Sequence, residues 1–177
     1  MRKKWIIFPV IFFFLSGLVS CKFLFQRNDP TFLECYIDGK KYTYKPIGPV
    51  ERTNVRAEGY HDLLLITAIL SGEEQYSISL YVYDSTYTYE GRRFDLSAYH
   101  TYDTSSKFSS VVLSDRDLNK YFSYDHSGWI EITGYDTIDA QYDIIQVEGK
   151  FEAYVRNKDD TLDVKHITGG KFRARSQ

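Results

Sequence analysis

Apolar and polar residues alternate with a period of two along much of this chain, the spacing of half-buried strands. Gln75–Tyr83 is the clearest case: Tyr76, Ile78, Leu80 and Val82 share one face, and Ser77, Ser79, Tyr81 and Tyr83 the other. Trp129–Tyr135 sets Trp129, Glu131 and Thr133 against Ile130, Ile132 and Gly134. Leu63–Leu70 is nearly continuous apolar, which predicts a strand buried on both faces. Ile144–Val155 and Leu162–Ala174 read as two further long strands. Gly149, in the middle of the first of these, predicts a bulge or bend, and the second contains Gly169-Gly170. Phe32–Ile37 and Lys41–Lys45 flank Asp38-Gly39-Lys40, a turn with Gly available for positive φ, and so predict a β-hairpin. Asn54–Tyr60 and Lys107–Leu113 are shorter strand candidates, and Ser114–Asn119 reads as a helical turn opened by Ser114.

Breaks fall at Pro46-Ile47-Gly48-Pro49, His61-Asp62, Ser71–Glu74, Glu90-Gly91-Arg92 and Asn157–Asp160. The three last long strands, joined by short turns, form an antiparallel meander. The pattern predicts an all-β domain, either an antiparallel β-sandwich or a flattened β-barrel, and leaves closure open.

The N-terminus follows a different pattern. Met1-Arg2-Lys3-Lys4 is basic, Trp5–Leu15 is apolar, and Ser16-Gly17-Leu18-Val19-Ser20-Cys21 is rich in small residues. These are the three parts of a secretory signal. The apolar stretch is short of the roughly 20 residues of a transmembrane helix, and Pro9 and Gly17 weaken it further. Leu18-Val19-Ser20-Cys21 resembles the bacterial lipobox, which implies cleavage before Cys21 and acylation of its thiol and amino group. Two or three acyl chains give stable anchoring, at about 0.8 kcal/mol per buried methylene. The expected organisation is a lipoprotein signal peptide over 1–20, a lipid-anchored tether over 21–30 and a β domain over 31–177.

Composition narrows the function classes. Removing 1–20 leaves 157 residues, enough for one domain with its own core. The signal holds three of the 22 basic residues and none of the 24 acids, so the remainder carries a net charge of −5. An acidic surface is ill suited to nucleic acid, which binds through phosphate neutralisation. With Cys21 lipidated, Cys35 has no partner for an intrachain disulfide, and its strand-like setting predicts a buried, inert thiol. The 16 tyrosines and 12 phenylalanines suit a pleated, half-buried surface.

Short motifs run through the last third: Gly128-Trp129-Ile130-Glu131-Ile132-Thr133, Val147-Glu148-Gly149-Lys150-Phe151-Glu152-Ala153 and Val164-Lys165-His166-Ile167-Thr168-Gly169-Gly170-Lys171-Phe172. With Cys35-Tyr36-Ile37-Asp38-Gly39-Lys40-Lys41-Tyr42 near the start, they resemble a family of small Bacteroidota lipoproteins of unknown function over about residues 32–173. The resemblance implies a β domain held to the cell envelope, in the outer membrane, and supplies no catalytic residue. Acidic residues after the lipidated cysteine often accompany export to the surface in such lipoproteins. Lys22-Phe23-Leu24-Phe25 carries none, which leaves both faces of that membrane open.

No reactive constellation stands out. Asp115-Arg116-Asp117-Leu118-Asn119 starts like a calcium loop, but Lys120 replaces the required Gly and His126 the required Glu. His61, His100, His126 and His166 are scattered, without metal-ligand spacing. There is no nucleophile elbow, zinc-protease motif or phosphate loop. The expectation is no catalytic residue, metal or cofactor. The candidate ligand-facing aromatics are Tyr81, Tyr83, Tyr87 and Tyr89, in a cluster running on to Tyr99 and Tyr102; exposed rings of this kind stack on sugars or proteins. The leading functional expectation is a non-enzymatic binding or structural module, anchored to the membrane, with a glycan or envelope protein as partner. The alternatives are an envelope glycan hydrolase working through two carboxylates and a barrel holding a small apolar ligand.

Overall fold

A computed structural model describes residues 31–44, 56–60, 63–86, 88–98, 108–141 and 144–176. Ten strands run through them: β1 (Phe32–Ile37), β2 (Lys40–Tyr44), β3 (Arg56–Tyr60), β4 (Leu63–Ser71), β5 (Gln75–Tyr83), β6 (Arg92–Asp95), β7 (Ser110–Asp115), β8 (Lys120–Asp139), β9 (Ile144–Asn157) and β10 (Val164–Arg175). The signal and tether, Pro46–Pro49, Asn54, His61-Asp62, Tyr87, Tyr99, His100, Tyr102 and Lys107 lie outside the described residues.

Eight strands close a ring in the order β1-β2-β4-β5-β7-β8-β9-β10 and back to β1, every neighbouring pair antiparallel. The fold is therefore a closed β-barrel and not an open sandwich, and closure removes the exposed edges that a sandwich retains. Two short strands fill out the wall. β3 runs beside β4 and touches β10 at Arg56–Arg175, and β6 takes the edge of β8 over Trp129–Ile132, beyond the stretch paired with β7.

The alternation read from sequence holds in the wall. Leu64, Ile66, Ala68 and Leu70 of β4 point inward, as do Tyr76, Ile78, Leu80 and Val82 of β5. β4 is not buried on both faces as its composition predicts: Leu63, Leu65 and Thr67 are half-buried and Ile69 is 43% exposed. A barrel wall has one interior side, so the second apolar face of β4 lies on the outside. Ser114–Asn119 is not a helical turn but a tight β7–β8 hairpin. Asp115 closes it, its carboxylate accepting the Asn119 backbone N–H at 2.9 Å and the Asn119 side-chain amide at 2.8 Å.

The interior is occupied by side chains. Leu33, Cys35, Ile37, Ile66, Leu80, Val111, Leu113, Ile130, Val147, Phe151, Val155, Ile167 and Phe172 belong to one continuous buried cluster. Burial pushes the Cys35 thiol up to about 12, with the Glu34 charge adding to it, so the thiol stays protonated and inert.

The two largest interior rings on the meander are seated by glycines. Gly149 of β9 lies opposite Phe172 of β10, and Gly170 of β10 opposite Phe151 of β9. A Cβ on Gly149 would fall 2.4 Å from the Phe172 ring and 2.4 Å from the Glu131 carbonyl oxygen. On Gly170 it would fall 2.5 Å from the Phe151 ring. The bend predicted at Gly149 is displaced to its neighbours. β8 carries an extra residue at Thr133, and β10 bulges at Thr168-Gly169, where Gly169 has φ +58°. Each bulge shifts the parity of the strand beyond it, which turns Tyr135 toward the core.

Gly149→Ala is expected to destabilise the protein by about 1–3 kcal/mol, because neither the Glu131 backbone nor Phe172 has room to move. In Gly134→Ala the added carbon would sit 3.6 Å from its nearest neighbour, and that change is expected to stay within about 0.5 kcal/mol. Urea unfolding of both variants is the measurement. Equal midpoints would show that the ring over Gly149 does not depend on its missing side chain.

Candidate functional site

Connectivity gives the barrel two unlike ends. β1–β2, β4–β5, β7–β8 and β9–β10 all turn at one end, where Ile37, Lys40, Ser71, Gln75, Asp115, Lys120, Asn157 and Val164 terminate their strands. This end is termed the mouth. The domain starts at the other end, the base, where Thr31 leads into β1.

The mouth turns are rigidly specified. Asp38 and Gly39 both have positive φ, 50° and 80°, the geometry of a type I′ hairpin. The Asp38 carboxylate also accepts the His166 backbone N–H at 2.8 Å, which locks this hairpin to β10. In the β9–β10 turn, Asp160 accepts the Leu162 N–H at 3.0 Å and Asn157 accepts the Asp159 N–H at 2.9 Å.

Between the turns lies an open cleft of about 1030 Å³. Its walls carry Glu73, Glu74, Asp115, Arg116, Asp117 and Lys165, and the phenols of Tyr76 and Tyr121 border it from below. Tyr42, Tyr76 and Tyr121 are the interior residues nearest the mouth on their strands, all 4% exposed or less. Tyr42 and Tyr76 meet edge to face with centroids 5.2 Å apart. Two of the three phenols end on a carboxylate. Tyr76 donates to Glu74 at 2.6 Å and Tyr121 to Asp163 at 2.9 Å. These bonds let an aromatic body fill the core while its polar tip stays satisfied at the surface.

The electrostatics follow from that arrangement. Burial, with the hydrogen bond to Asp163 and its charge, raises the Tyr121 phenol to about 12. Tyr76 is pushed up further, by burial first and then by Glu74. At Asp163 burial acts upward, but hydrogen bonds from Asn157 and Tyr121 and the Lys165 charge outweigh it and hold the carboxyl below its usual range. Asp84, at the base, behaves alike: burial acts upward, and bonds from Thr86 and the Arg92 ion pair bring the net shift down. A hydrolase's proton-donating acid needs the opposite shift. Among the described residues no cluster of three or more His, Cys, Asp or Glu could hold a metal ion.

Among the described residues, Tyr81, Tyr83 and Tyr89 do not share one face. Tyr81 and Tyr83 are half-buried on the outer side of β5. Tyr89 is turned into the core, 5% exposed, stacked on Tyr135 at 5.5 Å and tilted against Phe94 at 6.4 Å. The parity shift at Thr133 supplies its partner, so Tyr89 is a packing residue and not a ligand-facing one. Cys21 and Tyr87 lie outside the described residues. The period of two places Tyr76 inward but does not single out Tyr76, Tyr121, Asp163 and Lys165 as a group. The available signal was a tyrosine at the inward position nearest the mouth, beside an acid-bearing turn.

No family model, curated protein or solved structure matches this chain.

Asp163 generates a pH prediction. A carboxyl whose folded pKa is depressed stabilises the fold above its unfolded value, about 3.9, and loses that contribution as pH falls through the folded value. Asp163→Asn should therefore lower the urea midpoint at pH 7, and the gap to the unsubstituted protein should shrink at pH 3. A gap of constant size across that range would contradict an ionised Asp163 held by Tyr121 and Asn157.

Proposed function

We propose that this chain is a lipid-anchored protein of the outer membrane, non-enzymatic, that engages an envelope protein or glycan at the barrel mouth. The observation that carries this reading is the polarity of the barrel. β1 starts at the base, at Phe32, while four hairpins surround the cleft at the far end.

Two further features support a binding role at the mouth. Leu118 and Leu162, at the tips of the adjacent β7–β8 and β9–β10 turns, are 80% and 91% exposed. Leu118 sits at φ +66°, a conformation that a bulky side chain seldom adopts. Apolar side chains on well-fixed turns beside a polar cleft make suitable anchors for a partner surface. The cleft itself is lined mainly by hydrogen-bonding and charged groups, which suits a polar ligand better than a lipid. The occupied interior speaks against an apolar ligand held inside the barrel. The depressed pKa of Asp163 speaks against that residue as the proton donor of a glycan hydrolase.

Two experiments test the two halves of the reading. Cys21→Ser should abolish incorporation of a fatty-acid analogue and release the protein from membranes; unchanged labelling and retention would remove the anchor. A photo-crosslinker placed at Leu162 in membranes of the native host should give a discrete adduct that the same group at Lys171, on the outer wall, does not. Matching adduct patterns from both positions would rule out the mouth as the preferred contact.

A further inference from the structure

A second concave site lies on the outer wall, separate from the mouth cleft. β8 and β9 form it where Phe122 pairs with Arg156. Phe122 and Tyr124 of β8 are two residues apart and so lie on the same outer face, beside Arg156. The Arg156 guanidinium lies over the Tyr124 ring, its central carbon 4.3 Å from the centroid. Beyond it the wall opens into a pocket of about 350 Å³, with Lys158 and Thr161 on its far side. That volume lies at the low end of small-ligand sites, roughly 300–1000 Å³.

The charge of this pocket is unlike that of its surroundings. Among the described residues, the lining includes Arg156 and Lys158 and no carboxylate. Asp125, the nearest acid along β8, is turned toward the Ala98 backbone, whose N–H it accepts at 3.1 Å. Asn157 is already committed, donating to Asp163 at 3.1 Å and accepting from Asp159. Arg156 is left with an unmet demand: its Nε is buried and has no hydrogen-bond partner.

We infer that this outer-wall pocket binds a carboxylate borne on a sugar-sized polar molecule. With its central carbon over the Tyr124 ring, the guanidinium recognises a ligand through its edge. That edge presents parallel N–H donors spaced for the two oxygens of a carboxylate. Lys158 adds a second positive charge, and the ring of Phe122 offers an apolar contact for the ligand's carbon face. The site stands independently of the mouth, so the two readings fail or succeed separately.

The test is isothermal titration of the full-length protein in detergent with glucuronate, glucose and inorganic sulfate. Glucuronate is expected to bind in the millimolar range or tighter. Glucose, the same ring without the carboxylate, is expected to show no binding, and sulfate to bind about tenfold more weakly for want of planar geometry. Arg156→Gln should weaken glucuronate about tenfold while the thermal midpoint stays in place. Lys158→Gln, at an exposed position that the fold tolerates, should weaken it about threefold and flatten its salt dependence. No heat with glucuronate, equal binding of glucose or sulfate, or unchanged affinity in both variants would overturn the assignment.

Discussion

The barrel depends on a reciprocal exchange of volume between β9 and β10. Gly149 faces Phe172 and Gly170 faces Phe151, so each strand gives up a side chain where the other places a ring. The two rings lie 6.3 Å apart and are essentially fully buried. Burying a Phe of this kind is worth about 1.5–3 kcal/mol, and the glycines supply the space without forcing the strands apart. The same stretch fixes register. With a ring seated over each glycine, a slip of one residue would drive both rings into backbone and turn the interior set outward. The bulges at Thr133 and Thr168-Gly169 flank this locked segment and let the meander curve toward closure.

Closure has a chemical consequence at the mouth. The inward residue nearest the mouth on β5 and on β8 must be large enough to fill the core and polar enough to meet water. Tyr76 and Tyr121 satisfy both demands, and Glu74 and Asp163 on the neighbouring turns accept their hydroxyls. Each pairing satisfies a phenol that burial would otherwise orphan, and each fixes a turn to the barrel body. The polar rim is thus a product of how the core is finished. Several of its charged groups are engaged with one another: Lys40 with Glu73, and Lys165 with Asp38 and Asp163. Ion pairs this exposed add little to stability, about 0–1 kcal/mol each, but they hold the turns in defined positions.

Much of this fold was legible in the sequence because a period of two marks an interior and an exterior on each strand. Tyr76 to Val82 alternates without interruption and points as the pattern says. Asp38-Gly39 specifies a two-residue turn and forms one. Failures occurred where a rule was local and the cause was not. Leu63–Leu70 carries an apolar outer face that composition cannot tell from a second buried face. Gly149 was read as a bend, but its reason is a ring 23 residues further along the chain. Tyr89 was read as exposed because its partner, Tyr135, turns inward only after an extra residue at Thr133. The candidate sites were less legible still. The mouth joins residues from 71 to 165 and the outer-wall pocket residues from 98 to 161, and no spacing along the chain encodes either grouping.

An occupied interior directs attention to the outside of the barrel. Larger barrels enclose ligands; this one of eight strands fills its lumen with Leu, Ile, Val and Phe. What remains for recognition is the rim and the wall, and they differ in kind. At the rim, charges are mostly matched, and the distinctive groups are two exposed leucines on fixed turns, a surface suited to another folded surface. On the wall, the Arg156 guanidinium lies over the Tyr124 ring beside Lys158, an arrangement suited to a small anion. Weak capture of a small acidic group by the wall does not compete for the area that a larger partner needs at the mouth. Two modest contacts on one body also reinforce each other through effective concentration wherever a single partner offers both.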